Sequence, residues 1–289
     1  DGRLVGLLPL LQVRSRLFGS SLTSLPFCSY AGPLARDATV EHALVEAAVR
    51  LGAELRVDRV ELRGLRPFRR SALRQDLYFT FRAPIPTRLE SLMGIPQKRR
   101  SLVRRAVSLG LRATVDRDAD RFYELYAENA RAHGTPALGR SVFRALVDTF
   151  PDDCDILFVT NAAGRDLSAI LNFYHSGEVL ACFAGEVAAA RGASANDFKY
   201  WSLMMHASSR GCTRFDFGRS KIGTGAFQFK RLWGFEPHQL HYEFPYLPSG
   251  VVPQNNPLQP RYRVAIQTWR RLPRSIVDRL GPLLVAGLG

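Results

Sequence analysis

Hydrophobic and polar positions fall into two rhythms along this chain, and the change of rhythm marks out its elements. Leu4–Val13 is a nearly continuous apolar run fit for a buried strand. Residues 22–34, with Leu25, Pro26, Phe27, Tyr30, Gly32 and Pro33, read as a strand ending in a Pro/Gly turn. Val40, Leu44, Ala47, Ala48 and Leu51 share one face of a helix. Leu55–Leu62 and the alternating Leu77, Phe79 and Phe81 read as two more strands. The order β-β-α-β-β predicts a mixed sheet covered by a helix on one face. It looks incomplete at its start, so the chain reads as a piece of a longer protein.

Residues 86–110 are helical in pattern, with Leu92, Val103, Ala106 and Leu109 turned inward, the cations outward, and Gly110 as a stop. A second series follows. Leu111–Val115 is a short strand. Phe122, Leu125, Tyr126 and Ala130 recur at helical spacing behind aspartates that suit the helix dipole. Val142–Phe150 is a second helix. Ile156–Thr160, Leu167–Tyr174 and Val179–Ala184 form an antiparallel meander. Asn196 or Ser194 caps a helix whose shared face is Phe198, Trp201, Met205 and Ser208, ended by Arg210 and Gly211. Strand 215–217, helix 227–233 and strand 241–246 close the series. Its order is β-α-α-β-β-β-α-β-α-β, and the first order matches the later part of it except for the helix between the last two strands. One fold used twice, the first copy truncated at its N-terminus, accounts for both. The class is α/β (α+β) with mixed, largely antiparallel sheets. The expected parts are 1–87, a basic connector at 88–110, a second domain at 111–248 and a basic amphipathic tail at 249–289.

Charge changes this picture locally. The net charge is +14, and two segments carry most of it. Residues 88–105 set six cations against Glu90, and residues 261–279 set six arginines against Asp278. Such patches suit two anionic contacts, or else two solvated helix faces. The four cysteines and six histidines are scattered, so no metal site is expected, and a reducing cytoplasm fits. No apolar run approaches the length of a membrane span.

The candidate chemistry gathers at 215–235. Asp216 lies between Phe215 and Phe217. Gly218, Gly223 and Gly225 surround Arg219, Ser220 and Lys221. A short helix then carries Phe229, Lys230 and Trp233. A strand passing through a basic glycine-rich loop into a helix can present N–H groups and cations to an anion. Ser220 sits in no nucleophile elbow, so a Ser or Cys triad is unsupported.

The element order is that of the GNAT acyltransferases. Phe-Asp-Phe-Gly-Arg-Ser-Lys at 215–221, followed by Phe-Lys-x-x-Trp-Gly-Phe at 229–235, resembles the FemAB-like proteins, most of all the branch associated with exosortase/PEP-CTERM and exopolysaccharide systems. Tyr30-Ala31-Gly32-Pro33, the basic run 98–106 and Gly134-Thr135-Pro136 have counterparts there too. The resemblance runs from residue 1 to about 248. It implies two GNAT-like domains around a cleft, and transfer of an acyl or aminoacyl group to an amine or hydroxyl of a cell-envelope or exopolysaccharide precursor. Fem enzymes proper take the amino acid from aminoacyl-tRNA. Phe229-Lys230 stands where Fem proteins have a Phe-Lys pair whose lysine stabilises transition-state charge, which assigns Lys230 to the oxyanion. Asp216 is a candidate base or orienting group. Tyr30, Asn172, Tyr200 and Trp201 are candidates for the cleft wall.

GNAT enzymes that use CoA carry Arg/Gln-x-x-Gly-x-Gly/Ala before the helix that here starts near 197. This chain reads Ala-Ala-Ala-Arg-Gly-Ala-Ser-Ala at 188–195, without that spacing. No tightly bound cofactor is expected, and the donor stays open between aminoacyl-tRNA and acyl-CoA. The tail, with Tyr262, Ile266, Trp269, Leu272, Ile276, Val277 and Leu280 among its arginines, suits an anionic membrane surface or docking onto the protein, with a kink at Pro273. The expected setting is cytoplasmic, peripheral to the inner membrane. The alternatives are a CoA-dependent N-acetyltransferase and a non-catalytic module for RNA or another polyanion.

Overall fold

The computed structural model describes residues 2–15, 19–68, 73–252 and 260–287, with backbone only for 260–263. The first stretch holds β1 (Gly6–Leu7), β2 (Leu11–Ser15), β3 (Gly19–Thr23), β4 (Leu34–Ala35), α1 (Ala38–Glu54), β5 (Arg59–Gly64), β6 (Leu73–Gln75) and β7 (Tyr78–Pro84). Then come α2 (Gln97–Ser108), β8 (Arg112–Asp116), α3 (Ala119–His133), α4 (Arg140–Thr149), β9 (Cys154–Thr160), β10 (Asp166–His175) and β11 (Glu178–Glu186). The short α5 (Ala189–Gly192), α6 (Ala195–Ser209), β12 (Arg214–Asp216), β13 (Ser220–Lys221), α7 (Gly225–Arg231), β14 (Pro237–Gln239) and β15 (His241–Tyr246) follow. The chain ends in α8 (Pro260–Arg271) and α9 (Arg274–Ala286).

Local chemistry sets several of these bounds. The Asp118 carboxylate caps α3 by accepting from the amides of Asp120 and Arg121, and Gly134 ends it in the left-handed region. Asp37 caps α1 and Thr224 caps α7 in the same way. The run Leu4–Val13 divides into two short strands. The connector is helical only from Gln97.

The large sheet has the order β13-β7-β12-β11-β10-β9-β8, with β14 also on β7. Its strands are apolar on both faces. On one face Leu157, Val159, Ile170 and Val179 pack with Val103 of α2 and Phe198 and Leu203 of α6. On the other, Ile156, Phe158 and Leu171 pack with Phe122 of α3, Phe143 of α4 and Val285 of α9. A smaller sheet runs β2-β3-β5-β15-β6, with α1 covering Val60 and Leu62. Pairing is antiparallel except for β3–β5 and β11–β12.

The two sheets trade strands. Strand β7 lies in the large sheet, where Arg82, Ala83 and Pro84 pair with Asp216, Phe215 and Arg214 of β12. Strand β15 lies in the small sheet, between β5 and β6. The sheet edges therefore do not follow the sequence bounds 87 and 111. Strand alternation fixes which face a residue takes but not which neighbour its backbone finds, so this exchange has no local signature.

Helix α6 is buried nearly all round. Asp197, Phe198, Lys199, Tyr200, Ser202, Leu203, Met204 and Ala207 all lie inside, rather than one apolar stripe, because α2 and the sheet enclose it. Of the two settings left open for the tail, docking holds for its apolar anchors: Trp269, Val277 and Val285 are buried, and the Trp269 indole donates to the Thr135 carbonyl at 3.1 Å. Pro273 separates α8 from α9. Tyr262 lies where only the backbone is described.

Candidate active site at a parting of two strands

Strands β11 and β12 run parallel only from Glu178↔Arg214 to Leu180↔Asp216, and then they separate. Two local causes hold them apart. On β11, pairing with β10 steps from Asn172↔Ala181 to Leu171↔Phe183, leaving Cys182 as the bulged residue. On β12, the Phe217 amide turns to the Phe81 carbonyl of β7 at 3.0 Å. Gly218 follows with φ 69° and approaches the Ala181 carbonyl so closely that a Cβ there would stand 3.0 Å from it. Only glycine takes this turn without strain. Beyond the bulge, the Ala184 carbonyl accepts from Asn129 Nδ2 of α3 at 3.4 Å. This carbonyl therefore faces away from β10, and the amide of the same residue shares its edge.

Asp216 and Lys230 build the loop at this opening. Asp216 is fully buried. Its Oδ1 accepts from Thr80 Oγ1 and from the Gly218 amide (2.7 Å), and its Oδ2 accepts from Tyr30 Oη (2.8 Å). Burial pushes its pKa up, while those three donors pull it down. With both oxygens engaged, Asp216 ties Tyr30, β7 and the loop together. Tyr30 is kept a phenol by burial and by the adjoining carboxylate, both of which raise its pKa.

Lys230 on α7 is also buried, and its ammonium donates to the carbonyls of Phe217 (2.7 Å), Gly218 (2.8 Å) and Arg219 (3.2 Å). Three N–H bonds meet three acceptors. The oxyanion role expected of Lys230 needs at least one donor pointed at substrate, and here each is given to the loop. Burial moves its pKa down to about 7, with Asp216 opposing and Arg219 adding to the shift.

Arg219 is the cation the loop leaves available. Its guanidinium donates to Tyr242 Oη at 2.9 Å, and Tyr242 in turn donates to the Ser29 carbonyl at 2.8 Å. The Arg219 Cζ lies 4.9 Å from the Tyr78 ring centre and 5.9 Å from that of Tyr242. The side chain is exposed. Lys221 lies 5.6 Å from the Tyr78 ring, its pKa lowered by burial and then by Arg219. Ser220 is buried, with no partner for its hydroxyl among the described residues.

The remaining candidates divide. Tyr200 and Phe229 meet at 5.5 Å and, with Phe217, fill the gap between α6 and α7. Trp201 donates to the Leu89 carbonyl at 3.0 Å and braces the connector. Asn172 is not at the opening. Its Nδ2 donates to Asp155 (3.2 Å), which also accepts from Tyr174 (2.9 Å) and contacts His206 (2.8 Å). That cluster sits where β9 meets the end of α6, and the alternation along β10 gave no hint of it.

Other groups escaped the sequence. Arg99, expected to face out, is buried and donates to Asp197 Oδ1 at 2.6 Å, with its Cζ 5.6 Å from the Phe229 ring. Lys199 is buried, donates to Ser168 Oγ at 2.9 Å, and has its pKa lowered to about 8 by burial, Glu186 opposing. Lys199 shows no periodic signal, because a helix enclosed on all sides has none, whereas Arg99 stands one turn before Val103 on the inward face of α2 and only its charge argued for the outside. The first turn of α6 bears on the donor. A pyrophosphate held at a helix start needs free amides and positive potential. Here Asp197 occupies that turn and Ser194 takes the left-handed φ of 57°. These residues do not fit a CoA pyrophosphate. Among the described residues, no group of three or more His, Cys, Asp or Glu could hold a metal ion.

Residues 94–231 match the family described as Acetyltransferase (GNAT) domain. Acyl transfer is the enzyme class this domain brings. No curated protein matches the chain in sequence. Among solved structures, FemX superposes with a TM-score of 0.59 at 14% identity, covering 84% of this chain and 86% of that one. The C-terminal domain (DUF2156) named for a lysylphosphatidylglycerol synthetase of Agrobacterium fabrum gives 0.61 at 15% identity over 82% and 80%. L-PGS from Bacillus licheniformis gives 0.54 at 13% identity over 93% and 87%. At such identities the likeness is one of fold: a GNAT-type arrangement of mixed, largely antiparallel sheets. Strand β7, which closes the site beside Asp216, lies outside the matched domain.

Proposed function

We propose that this chain is a FemAB-like acyl- or aminoacyltransferase that acylates an amine or hydroxyl of a cell-envelope or exopolysaccharide precursor, from the cytoplasmic side and peripheral to the inner membrane. The observation that carries the reading is the parting of β11 from β12, with the exposed Arg219 on the loop that follows β12. The acceptor nitrogen or oxygen attacks the donor's ester carbonyl in this opening, and the carbonyl oxygen gains negative charge; the carbonyl then re-forms as the ester C–O bond breaks, and the acceptor's proton passes to the departing hydroxyl of the donor. Backbone amides of β11 beyond the Cys182 bulge are placed to meet that charge, an arrangement typically worth about 10²–10³ in rate per donor. Arg219 and Lys221 anchor an anionic group of a substrate against Tyr78. Lys230 acts by holding three carbonyls, so that the loop keeps its shape and Arg219 its direction. Phe-Asp-Phe-Gly-Arg-Ser-Lys at 215–221 supports the exopolysaccharide-associated branch. Asp197 at the start of α6 favours aminoacyl-tRNA over acyl-CoA as donor.

The test supplies total aminoacyl-tRNA or acetyl-CoA together with an envelope-precursor extract and follows the acyl group by mass spectrometry. Transfer from aminoacyl-tRNA, lost in Arg219→Ala, is expected. Transfer from acetyl-CoA alone would make the chain a CoA-dependent N-acetyltransferase. No transfer from either, with salt-sensitive RNA binding, would make it a polyanion-binding module.

A further inference from the structure

Docking of the tail consumes one set of its apolar side chains and leaves another. Val277 and Val285 are buried on the inner face of α9, and Gly281 between them lies so close to Ala137 that a Cβ would stand 3.2 Å from its backbone. Arg274 binds Glu124 and Asp278, and Arg270 donates to the His133 carbonyl at 3.3 Å. These contacts fix the rotation of α9. Its outward face then carries Ile276, Leu280 and Leu283, which are 41%, 42% and 72% exposed. At spacings of four and three residues they form one stripe. Arg279 lies within that stripe and Arg271 precedes it. Neither takes part in an ion pair among the described residues, and the acid Asp278 is turned to Arg274 and Tyr123.

We propose that the outward face of α9 docks on an anionic lipid bilayer. Aliphatic side chains beside arginines that have no ion pair among the described residues, with no acid on the face, complement a surface that is apolar within and negative at its headgroups. RNA offers the charge but no place for three aliphatic side chains. No helix among the described residues is long and apolar enough to cross a membrane, so the contact is peripheral. The proposal deepens the placement given above and rests on that reading of an envelope-directed enzyme.

The experiment is flotation of the full chain with vesicles containing phosphatidylglycerol, against vesicles of phosphatidylcholine alone. Binding to the first and not the second, reversed by salt, is expected. Ile276→Glu/Leu280→Glu/Leu283→Glu should abolish flotation. Arg271→Gln/Arg279→Gln should weaken it about 30-fold, the equivalent of about 1 kcal/mol per arginine. All five positions are exposed, so thermal melts of the variants should match the parent. Equal flotation of the triple variant, or equal binding to neutral vesicles, overturns the proposal. So does capture of tRNA through these residues without vesicle binding. Donor consumption is measured alongside, without vesicles. If donor is consumed while vesicles are ignored, only the docking surface falls. If vesicles are bound and no donor is consumed, the catalytic reading falls instead.

Discussion

Two strand-to-helix turns flank the parted strands, and they are built in opposite senses. The turn after β12, residues 217–225, is gathered by a cation: Lys230 draws three carbonyls inward, and Arg219 and Lys221 lie against the Tyr78 ring. The turn after β11, residues 187–195, is closed by an acid: Asp197 in the first turn of α6 is bound to Arg99, while Arg191 is exposed and 3.8 Å from Glu186. Either turn of such a fold could receive an anion at its helix. Only the first has the charge for it. On the proposed function, this difference sends the anionic part of a substrate to the β12 side.

The largest effect that would break this contrast is at Lys230. Lys230→Met leaves three buried carbonyls without their donor, at about 1–3 kcal/mol apiece. A loss of about 4 kcal/mol or more in urea unfolding is expected, together with loss of transfer. If Lys230 were instead only an oxyanion donor, the rate would fall about 10²–10³ with stability unchanged. Next is the acid on the other side. Arg99→Met strands the buried Asp197 carboxylate and should cost about 3 kcal/mol. Arg99→Met/Asp197→Leu should regain most of that in the same unfolding assay. A double variant as unstable as the single would show that the pair does not act as a unit.

Arg219→Ala sharpens the contrast without touching the core. Its melting temperature should stay near that of the parent, while KM for the anionic substrate rises about 10–100-fold, as for loss of one charge-assisted contact. The last effect is in pH. Burial lowers the Lys199 pKa to about 8 from the ordinary 10.5. Between those values the unfolded chain holds a proton that the folded chain lacks, so stability rises with pH across that window. Lys199→Met should reduce the slope of urea midpoints from pH 8 to 10.5, the share due to Lys230 remaining. A slope equal to the parent's would remove Lys199 as its source.

The motif at 215–235 marks the candidate site but not its wiring. A Phe-Lys pair marks Lys230, yet three carbonyls at 2.7–3.2 Å are acceptors that every residue carries, so no spacing announces them. Asp216 between two phenylalanines could be read as a candidate. Its partners Thr80 and Tyr30 come from β7 and from a turn more than a hundred residues earlier. Asn172 looked like a cleft residue because it sits on the right strand, but its position along that strand sends it to Asp155. The tail's amphipathic character was legible, whereas the rotation of α9 was not, because it depends on the close approach of Gly281 to Ala137.

Local order followed from the sequence alone. Period-two and helical spacing, with caps such as Asp118 and Gly134, set the elements and the mixed, largely antiparallel class, because those signals act over a few residues. The tertiary structure decided what lies far apart in the chain. It put β7 beside β12 and β15 beside β5, opened β11 from β12, and turned Lys230 inward while leaving Arg219 at the opening. Backbone groups are the same at every residue, so their long-range partners are chosen by packing and not by any letter of the sequence.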